Sequence, residues 1–211
     1  MKRIGLISDT HSYLDPKVAH HFADCDEIWH AGDFGGYEVA KQLRSIKPLR
    51  GVYGNIDGQD IRSEFPECLQ FEIEGIRVML FHIGGYPPNY NKVTKPIIAA
   101  YKPQLFISGH SHILKVIYDP AMACLHINPG AAGKQGWHKV KTLIKIDIDG
   151  DLLVVSSSID AENETKFKKS FNRSFRLIKD IDIDSIKASM ENGILTITFD
   201  KKNVTKEVKI S

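Results

Sequence analysis

The 211-residue chain has little cysteine and no surplus of either charge. Its three cysteines, Cys25, Cys68 and Cys124, are odd in number, far apart and without a CxxC pair. That excludes a disulfide framework and a zinc knuckle, and it reads as reduced thiols in a cytoplasmic protein. With 28 Lys+Arg against 26 Asp+Glu the formal net charge is only +2. Such a balance argues against a broad basic face for nucleic acid. No uncharged apolar run approaches the roughly 18 residues that a membrane helix needs, so no membrane partner is expected. Met1-Lys2-Arg3 begins like a signal peptide, but the short apolar run after it meets Ser8-Asp9 and no h-region forms. Core-forming residues are not lacking: 42% of the chain is hydrophobic, too much for a disordered protein.

Composition shifts near residue 160. All nine histidines, nine prolines and three cysteines precede it, and the polar stretch 160–165 has the character of an exposed linker. The expected division is therefore a domain over residues 1–160 and an extension over residues 161–211. The first part alternates strand and helix signals. Strands are expected at 4–8, 27–30, 49–53, 69–73, 76–82 and 105–108. Helices are expected from Asp15-Pro16 through Phe22, at 37–46 and at 93–101. Glu74-Gly75 reads as a hairpin turn. From 114 onward the pattern is strand alone, at 114–118, 123–128, 140–148 and 152–157. Helices early and hairpins late point to two sheets face to face, with helices on the outer faces.

The chemistry lies just after the strands. Asp9-Thr10-His11 follows the first, Gly32-Asp33 the second and Gly54-Asn55 the third; His82 ends another, and Gly109-His110-Ser111-His112 ends the strand at 105–108. Each piece alone is an ordinary turn. Together they bring two Asp, one Asn and four His to strand carboxyl ends, where loops of an α/β sheet converge on a ligand. Carboxylate, imidazole and amide donors without thiolate suit Mn, Fe, Zn, Co or Ni rather than calcium or a structural zinc. Seven donors exceed the needs of one ion but serve two ions about 3.5–4 Å apart when a carboxylate bridges. His30 reads as a residue that orients a ligand from behind. His20 and His21 read as surface; His126 and His138 are candidates for the mouth of the site.

The order DxH, GD, GN, H, GHxH closely resembles the calcineurin-like metallophosphoesterase superfamily, and its small bacterial and archaeal phosphodiesterase branch in compactness, through about residue 158. The resemblance implies a four-layer α/β/β/α sandwich with a β-rich C-terminal extension. It implies one divalent ion held by Asp9, His11, Asp33 and His112. A second is held by Asp33, Asn55, His82 and His110, with Asp33 as the bridge. Mn2+ comes first, with Ni2+, Co2+, Fe2+ or Zn2+ as the other fits. The implied activity is hydrolysis of a small phosphate ester, a diester before a monoester. A hydroxide held between the ions attacks in line, with Asn55 orienting a phosphate oxygen. Many members carry His after the GN pair to protonate the leaving group; here Ile56 stands there and has no proton to give. The retromer scaffold subunit resembles the same fold with a degraded metal site, so a non-catalytic binding module is the alternative. All seven positions here carry competent donors.

The extension contains an Ile-Lys-Ala-Ser segment at 186–189 and Asn192-Gly193-Ile194-Leu195-Thr196. It is similar to the second half of a small heat-shock protein α-crystallin domain, over about 167–210. Asn192-Gly193 is a hairpin signal. Half a sandwich leaves open edges, so the extension is expected to pair, with a second copy of the chain or with the catalytic domain.

Overall fold

The computed structural model describes residues 1–138, 140–149, 152–157 and 171–176, and the backbone of 187–191 and 194–198. β1 (Lys2–Ile7), α1 (Lys17–His21), β2 (Glu27–His30), α2 (Tyr37–Ile46) and β3 (Leu49–Gly51) come first. Their three strands lie parallel, β1 beside β2 beside β3. After the single turn of α3 (Gln59–Arg62), the hairpin of β4 (Cys68–Ile73) and β5 (Ile76–Phe81) opens a second sheet. The small ladder of β6 (Gly85–Tyr86) with β7 (Asn89–Tyr90) and the helix α4 (Thr94–Tyr101) lead to β8 (Leu105–Ile107), parallel to β5. Then come β9 (Leu114–Asp119), β10 (Cys124–Pro129), β11 (Ile144–Asp149), β12 (Leu152–Ser157) and β13 (Phe171–Arg176). The six-stranded sheet runs β13-β12-β11-β1-β2-β3 and the five-stranded sheet β4-β5-β8-β10-β9.

Side-chain alternation explains the layering. On β1, Ile4 and Leu6 face the other sheet, where they join Val78, Leu80, Ile107 and Ile127 in the central core. Ile7 faces outward to Val18, Phe22, Val39 and Leu43, the apolar stripes of α1 and α2. Gly5 shares that outer face because a Cβ there would stand 2.6 Å from the Phe22 ring. On the far side, Met79, Phe81 and Phe106 meet Ile98 of α4. The order of layers is thus helix, sheet, sheet, helix; antiparallel strands flank a parallel centre in the five-stranded sheet, whereas in the six-stranded sheet they join the parallel β1-β2-β3 on the β1 side alone.

Several boundaries moved for local reasons. The β4–β5 turn puts both Glu74 and Gly75 in the left-handed region, at φ +50° and +78°, as a tight two-residue hairpin requires. α1 is only one short helix; Asp15 Oδ1 still accepts the Lys17 N–H at 3.1 Å, as its position before Pro16 predicts. β11 begins at Ile144 rather than residue 140, because Thr142 is committed to the β10 end: its N–H donates to Ala131 O and its hydroxyl to Pro129 O. α3 and β13 carry no strong periodicity and were not expected. β13 extends the first sheet through β12, and its Phe171 and Phe175 lie against the central core.

The chain divides into two compact units, Met1–Leu177 and Ile178–Ser211. That division falls beyond the composition shift at residue 160, because β13 pairs with β12 and so belongs to the first unit. In the second unit, β14 (Lys187–Glu191) and β15 (Ile194–Thr198) form an antiparallel pair with Glu191 opposite Ile194. The expected Asn192-Gly193 turn between them and the polar stretch at 160–165 lie outside the described residues.

Two outcomes follow from this packing. A chain ending at Asp160 should melt below one ending at Leu177, because losing Phe171 and Phe175 from the core costs about 2 kcal/mol. That corresponds to a midpoint lower by roughly 4–8 °C in calorimetry; equal midpoints would show β13 to be ornamental. The second concerns His126, fully buried on β10 beside Phe106 and bonded through Nε2 to Ser108 Oγ at 2.9 Å. Burial, helped by the charge on Lys115, pushes its pKa from 6.5 to about 4. The unfolded chain therefore takes up this proton at a higher pH than the folded chain does. Stability is intact above about pH 6.5 and falls as pH drops toward 4, by up to ~3 kcal/mol. Urea midpoints at pH 7 and pH 4.5 should drop less in His126→Gln than in the wild type.

Candidate metal centre

The carboxyl ends of β1, β2, β3, β5 and β8 open onto one edge, and the loops there are laced together by the backbone. Asp9 N–H donates to Gly32 O at 3.0 Å, His11 N–H to Asp33 O at 3.1 Å and Ser12 N–H to Phe34 O at 2.8 Å. Gly109 N–H donates to His82 O at 3.0 Å, joining the β5 and β8 loops. The two sheets are tied across the crevice by the His110 N–H, which lies 3.2 Å from both carboxylate oxygens of Asp9. Asn128, near the end of β10, donates to Gly109 O at 2.7 Å and Ser111 Oγ at 3.1 Å, bracing the His110–His112 segment.

Backbone strain collects at the same edge. Nine non-glycine residues among those described have positive φ, and Asp9, His11, Asp33, His110 and His112 are five of them. A left-handed conformation costs a side-chain-bearing residue about 1–2 kcal/mol, and it persists where surrounding structure fixes it, characteristically at functional sites.

The side chains converge as two groups. Ligand atoms of Asp9, His11 and His112 lie within 4.8 Å of one another, as do those of Asp33, His82 and His110. Within the first, His112 Nε2 stands 3.2 Å from Asp9 Oδ1 and 3.2 Å from His11 Nε2. Within the second, His82 Nε2 stands 3.2 Å from Asp33 Oδ2, and the His82 and His110 rings are 5.3 Å apart edge to face. The groups adjoin: Asp33 Oδ2 is also 3.8 Å from His11 Nε2, and Asp9 Oδ1 is 4.0 Å from His82 Nε2. Six of the seven expected ligands are thus brought together. Asn55, the seventh, is exposed at the head of the β3 loop, beside Ile56, whose N–H donates to Asp33 Oδ1 at 3.1 Å. Gly54 has no room for a side chain, since a Cβ would lie 2.0 Å from Asp33 Oδ1.

The protonation chemistry fits paired divalent cations. His82 Nδ1 lies 2.7 Å from Ala31 O, an atom that can only accept, so Nδ1 carries the hydrogen. In neutral imidazole that leaves Nε2 as a lone pair; it is buried and makes no hydrogen bond, yet faces the Asp33 carboxylate. Two electron-rich atoms so placed repel each other unless a positive charge stands with them, and this is the tautomer a metal ligand needs. In the protein alone, a proton is the substitute. Burial by itself lowers the His82 pKa, but the carboxylates of Asp33 and Asp9 outweigh it and hold the group raised. Burial raises that of Asp33, but the His82 imidazole and the Ile56 N–H outweigh it and hold the carboxylate low. Asp9 raises His112, whereas burial and the charge on His82 lower His110.

Behind the donors stand residues of two kinds. His30, fully buried and stacked on Phe34 at 3.6 Å, has Nε2 3.0 Å from Thr10 Oγ1 and accepts the Gly32 N–H on Nδ1 at 3.1 Å. It thus grips both the Asp9–His11 and the Gly32–Asp33 turns, and burial keeps it neutral. Asp57 was not singled out in the sequence, where it passes for a turn residue. It is 4% exposed and accepts the Gly35 N–H at 2.8 Å and the Gly54 N–H at 2.7 Å, stapling the β2 loop to the β3 loop. Arg62 of α3 completes the brace, donating to the carbonyls of Asp57, Gly54 and Asn55 while its guanidinium lies over Tyr53 at 4.3 Å. Of the remaining histidines, His20 is exposed and His21 partly so. His126 is buried in the outer core and does not reach the mouth, but the His138 ring stands 5.3 Å from that of His112.

Comparison with known proteins agrees with this geometry. Residues 1–151 match the calcineurin-like phosphoesterase superfamily domain, and residues 139–211 match the Hsp20/alpha crystallin family, so the strand β11 lies within both. A probable metallophosphoesterase of Methanothermobacter thermautotrophicus is 32% identical over 135 residues, covering 61% of this chain and 76% of that protein. The 16.9 kDa class I heat shock protein 3 of Oryza sativa subsp. japonica is 40% identical over 80 residues. That match covers 33% of this chain and 54% of the plant protein, so the chain spans about half the length of that relative. Among solved structures, Vps29 of Entamoeba histolytica in complex with Zn2+ superposes with a TM-score of 0.64 at 17% identity. The superposition covers 83% of this chain and 99% of the other. With the family match spanning β1 through β11 and the donor loops alike, the chain belongs to the calcineurin-like phosphoesterase superfamily.

Proposed function

We infer that the protein is a dinuclear metal-dependent phosphoesterase of the small bacterial and archaeal branch, acting on phosphodiesters in preference to monoesters. The observation that carries this reading is the pair of donor groups, Asp9–His11–His112 and Asp33–His82–His110, with Asp33 Oδ2 within 4 Å of imidazoles from both. Asp9, His11, Asp33 and His112 would hold one ion, and Asp33, Asn55, His82 and His110 the other, with Asp33 shared. Mn2+ leads, and Ni2+, Co2+, Fe2+ or Zn2+ fit the same donors. When bound, such ions supply Lewis acidity toward phosphate and lower the pKa of water toward neutrality.

The residues of the chain do the rest. Asp9 and Asp33 are buried, so their charge is delivered at full strength to whatever cation they face. His82 and His30 are locked by Ala31 O and by Thr10 with Gly32, so neither ring rotates away. His110 and Asn55 are the exposed members, on the side from which a phosphate ester would enter, and Asn55 offers its amide to a phosphate oxygen. Ile56 gives no proton to a departing oxygen. The leaving group must then carry its own charge away, which selects phenolates over alkoxides. A cytoplasmic setting agrees with the cysteines. All three are free, and burial raises the Cys25 thiol to about 11 and Cys124 to about 12, which keeps them unreactive.

Metal-stripped protein should regain hydrolysis of bis-p-nitrophenyl phosphate on addition of Mn2+, and a flat response would return the fold to a binding role. Asp33→Asn should lose at least about 100-fold in activity together with metal content measured by elemental analysis. In the reactivated wild type, nitrophenyl esters should exceed alkyl esters by about 100-fold or more, a gap that Ile56→His should narrow. Residues 161–211 we read as an appended Hsp20-like segment whose open strand edges pair with a second copy. The full chain should therefore sediment as an oligomer while residues 1–177 sediment as a monomer.

A further inference from the structure

Large apolar side chains left in water gather at the edge that carries the donors. Of the seven such residues among those described, Tyr37, Ile56, Tyr86, Ile113 and Trp137 lie in or beside the loops of that edge. Ile56 follows Asn55, Ile113 follows His112, and Trp137 precedes His138. Trp137 is the extreme case, with a relative exposure of 102%. An indole has about 150–250 Å² to bury, and Trp137 leaves all of it open to a ligand beside the crevice.

The segment that carries this indole is held firmly against the donors. Gly133 N–H donates to Asp9 O at 3.0 Å, and Gly133 O in turn bonds His138 Nε2 at 3.0 Å. The His138 ring lies 5.3 Å from His112, and a Cβ on Gly136 would stand 2.3 Å from His112 Nδ1. Trp137 is therefore fixed beside the Asp9–His11–His112 group while its side chain stays free. Ile56 sits on the other loop, beside the Asp33–His82–His110 group, its N–H donating to Asp33 Oδ1 at 3.1 Å. The two apolar positions thus flank the crevice from opposite sides. Lys134, exposed on the same segment as Trp137, holds its ammonium 4.0 Å over the Tyr13 ring. A flat apolar face, a nearby cation and a phosphate-competent cage together match an anionic ester that bears a planar ring. The apolar residues are spread around a polar crevice, whereas a docking protein would need them contiguous.

We propose that Trp137 is the stacking platform for a planar aromatic group on the part of the ester that stays bonded to phosphorus, and so determines substrate specificity. This rests on the phosphoesterase reading given above. Thymidine 5′-p-nitrophenyl phosphate and methyl p-nitrophenyl phosphate share one leaving group and differ in the retained group. Trp137→Ala should raise KM for the thymidine ester about tenfold with kcat unchanged. It should leave the methyl ester unaffected, and Trp137→Phe should restore most of the loss. Equal effects on both esters, or none on either, overturn the proposal while leaving the activity in place. A binding readout separates the two readings. Thymidine 5′-monophosphate should quench the indole emission of the wild type and not that of Trp137→Phe, in which only the buried Trp29 remains. Ribose 5-phosphate should quench neither. Quenching without hydrolysis of either ester would sink the phosphoesterase reading and keep the platform; hydrolysis without quenching would do the reverse.

Discussion

Asp9 and Asp33 are carboxylates taken almost wholly out of water, 0% and 2% exposed, at the open edge of a sheet sandwich. A buried anion is tolerated only when positive charge or aligned donors face it. Here backbone N–H groups of His110 and Ile56 and the imidazoles of His82 and His112 do so. The arrangement leaves His82 Nε2 without a hydrogen bond, aimed at an oxygen. Much of the local architecture can be understood as the means of holding these few charged and electron-rich atoms at such close quarters.

That means is largely backbone. Five of the candidate donor residues sit in left-handed conformations that each cost free energy. The cost is met by the rigidity behind them: two sets of parallel strands whose Ile, Leu and Val side chains interlock in one central core. Loop-to-loop hydrogen bonds then link β1 to β2, β5 to β8 and one sheet to the other. His30, Asp57 and Asn128 act at one remove, each bonding turns rather than offering a ligand atom to the crevice. Precision at the donors is thus a property of the sandwich as a whole, which is why family membership and donor geometry speak to the same question.

The C-terminal strands show the sandwich being extended. β11, β12 and β13 are consecutive neighbours in the first sheet, although the stretch they occupy falls largely within the part of the chain that matches Hsp20 proteins. A sheet accepts an added antiparallel strand wherever an edge is open and the new strand brings apolar residues to the covered face. Phe171 and Phe175 do that for the central core. Composition changes at residue 160 because the residues that make the crevice end before it, whereas compactness continues through Leu177 because packing needs only alternation.

The amino-acid sequence by itself determined the order of the candidate donor residues, the bounds of α2, the β4–β5 turn and most of the succession of strands. These rest on local chemistry: residue type, period-2 or helical spacing, and glycine or Asp-Pro punctuation. It was silent on Asp57, on α3 and on β13, and it offered His126 for the mouth of the site where the structure buries it in the outer core. A turn-type Asp, a four-residue helix, a strand with mixed exposure and a histidine in a strand look ordinary until distant segments close around them. Only the tertiary structure decided how closely the carboxylates and imidazoles approach one another, which nitrogen of His82 makes no hydrogen bond, and that an indole stands bare beside them. Those are distances between residues as far apart in the chain as Asp9 and His112, and no periodicity along the chain encodes them.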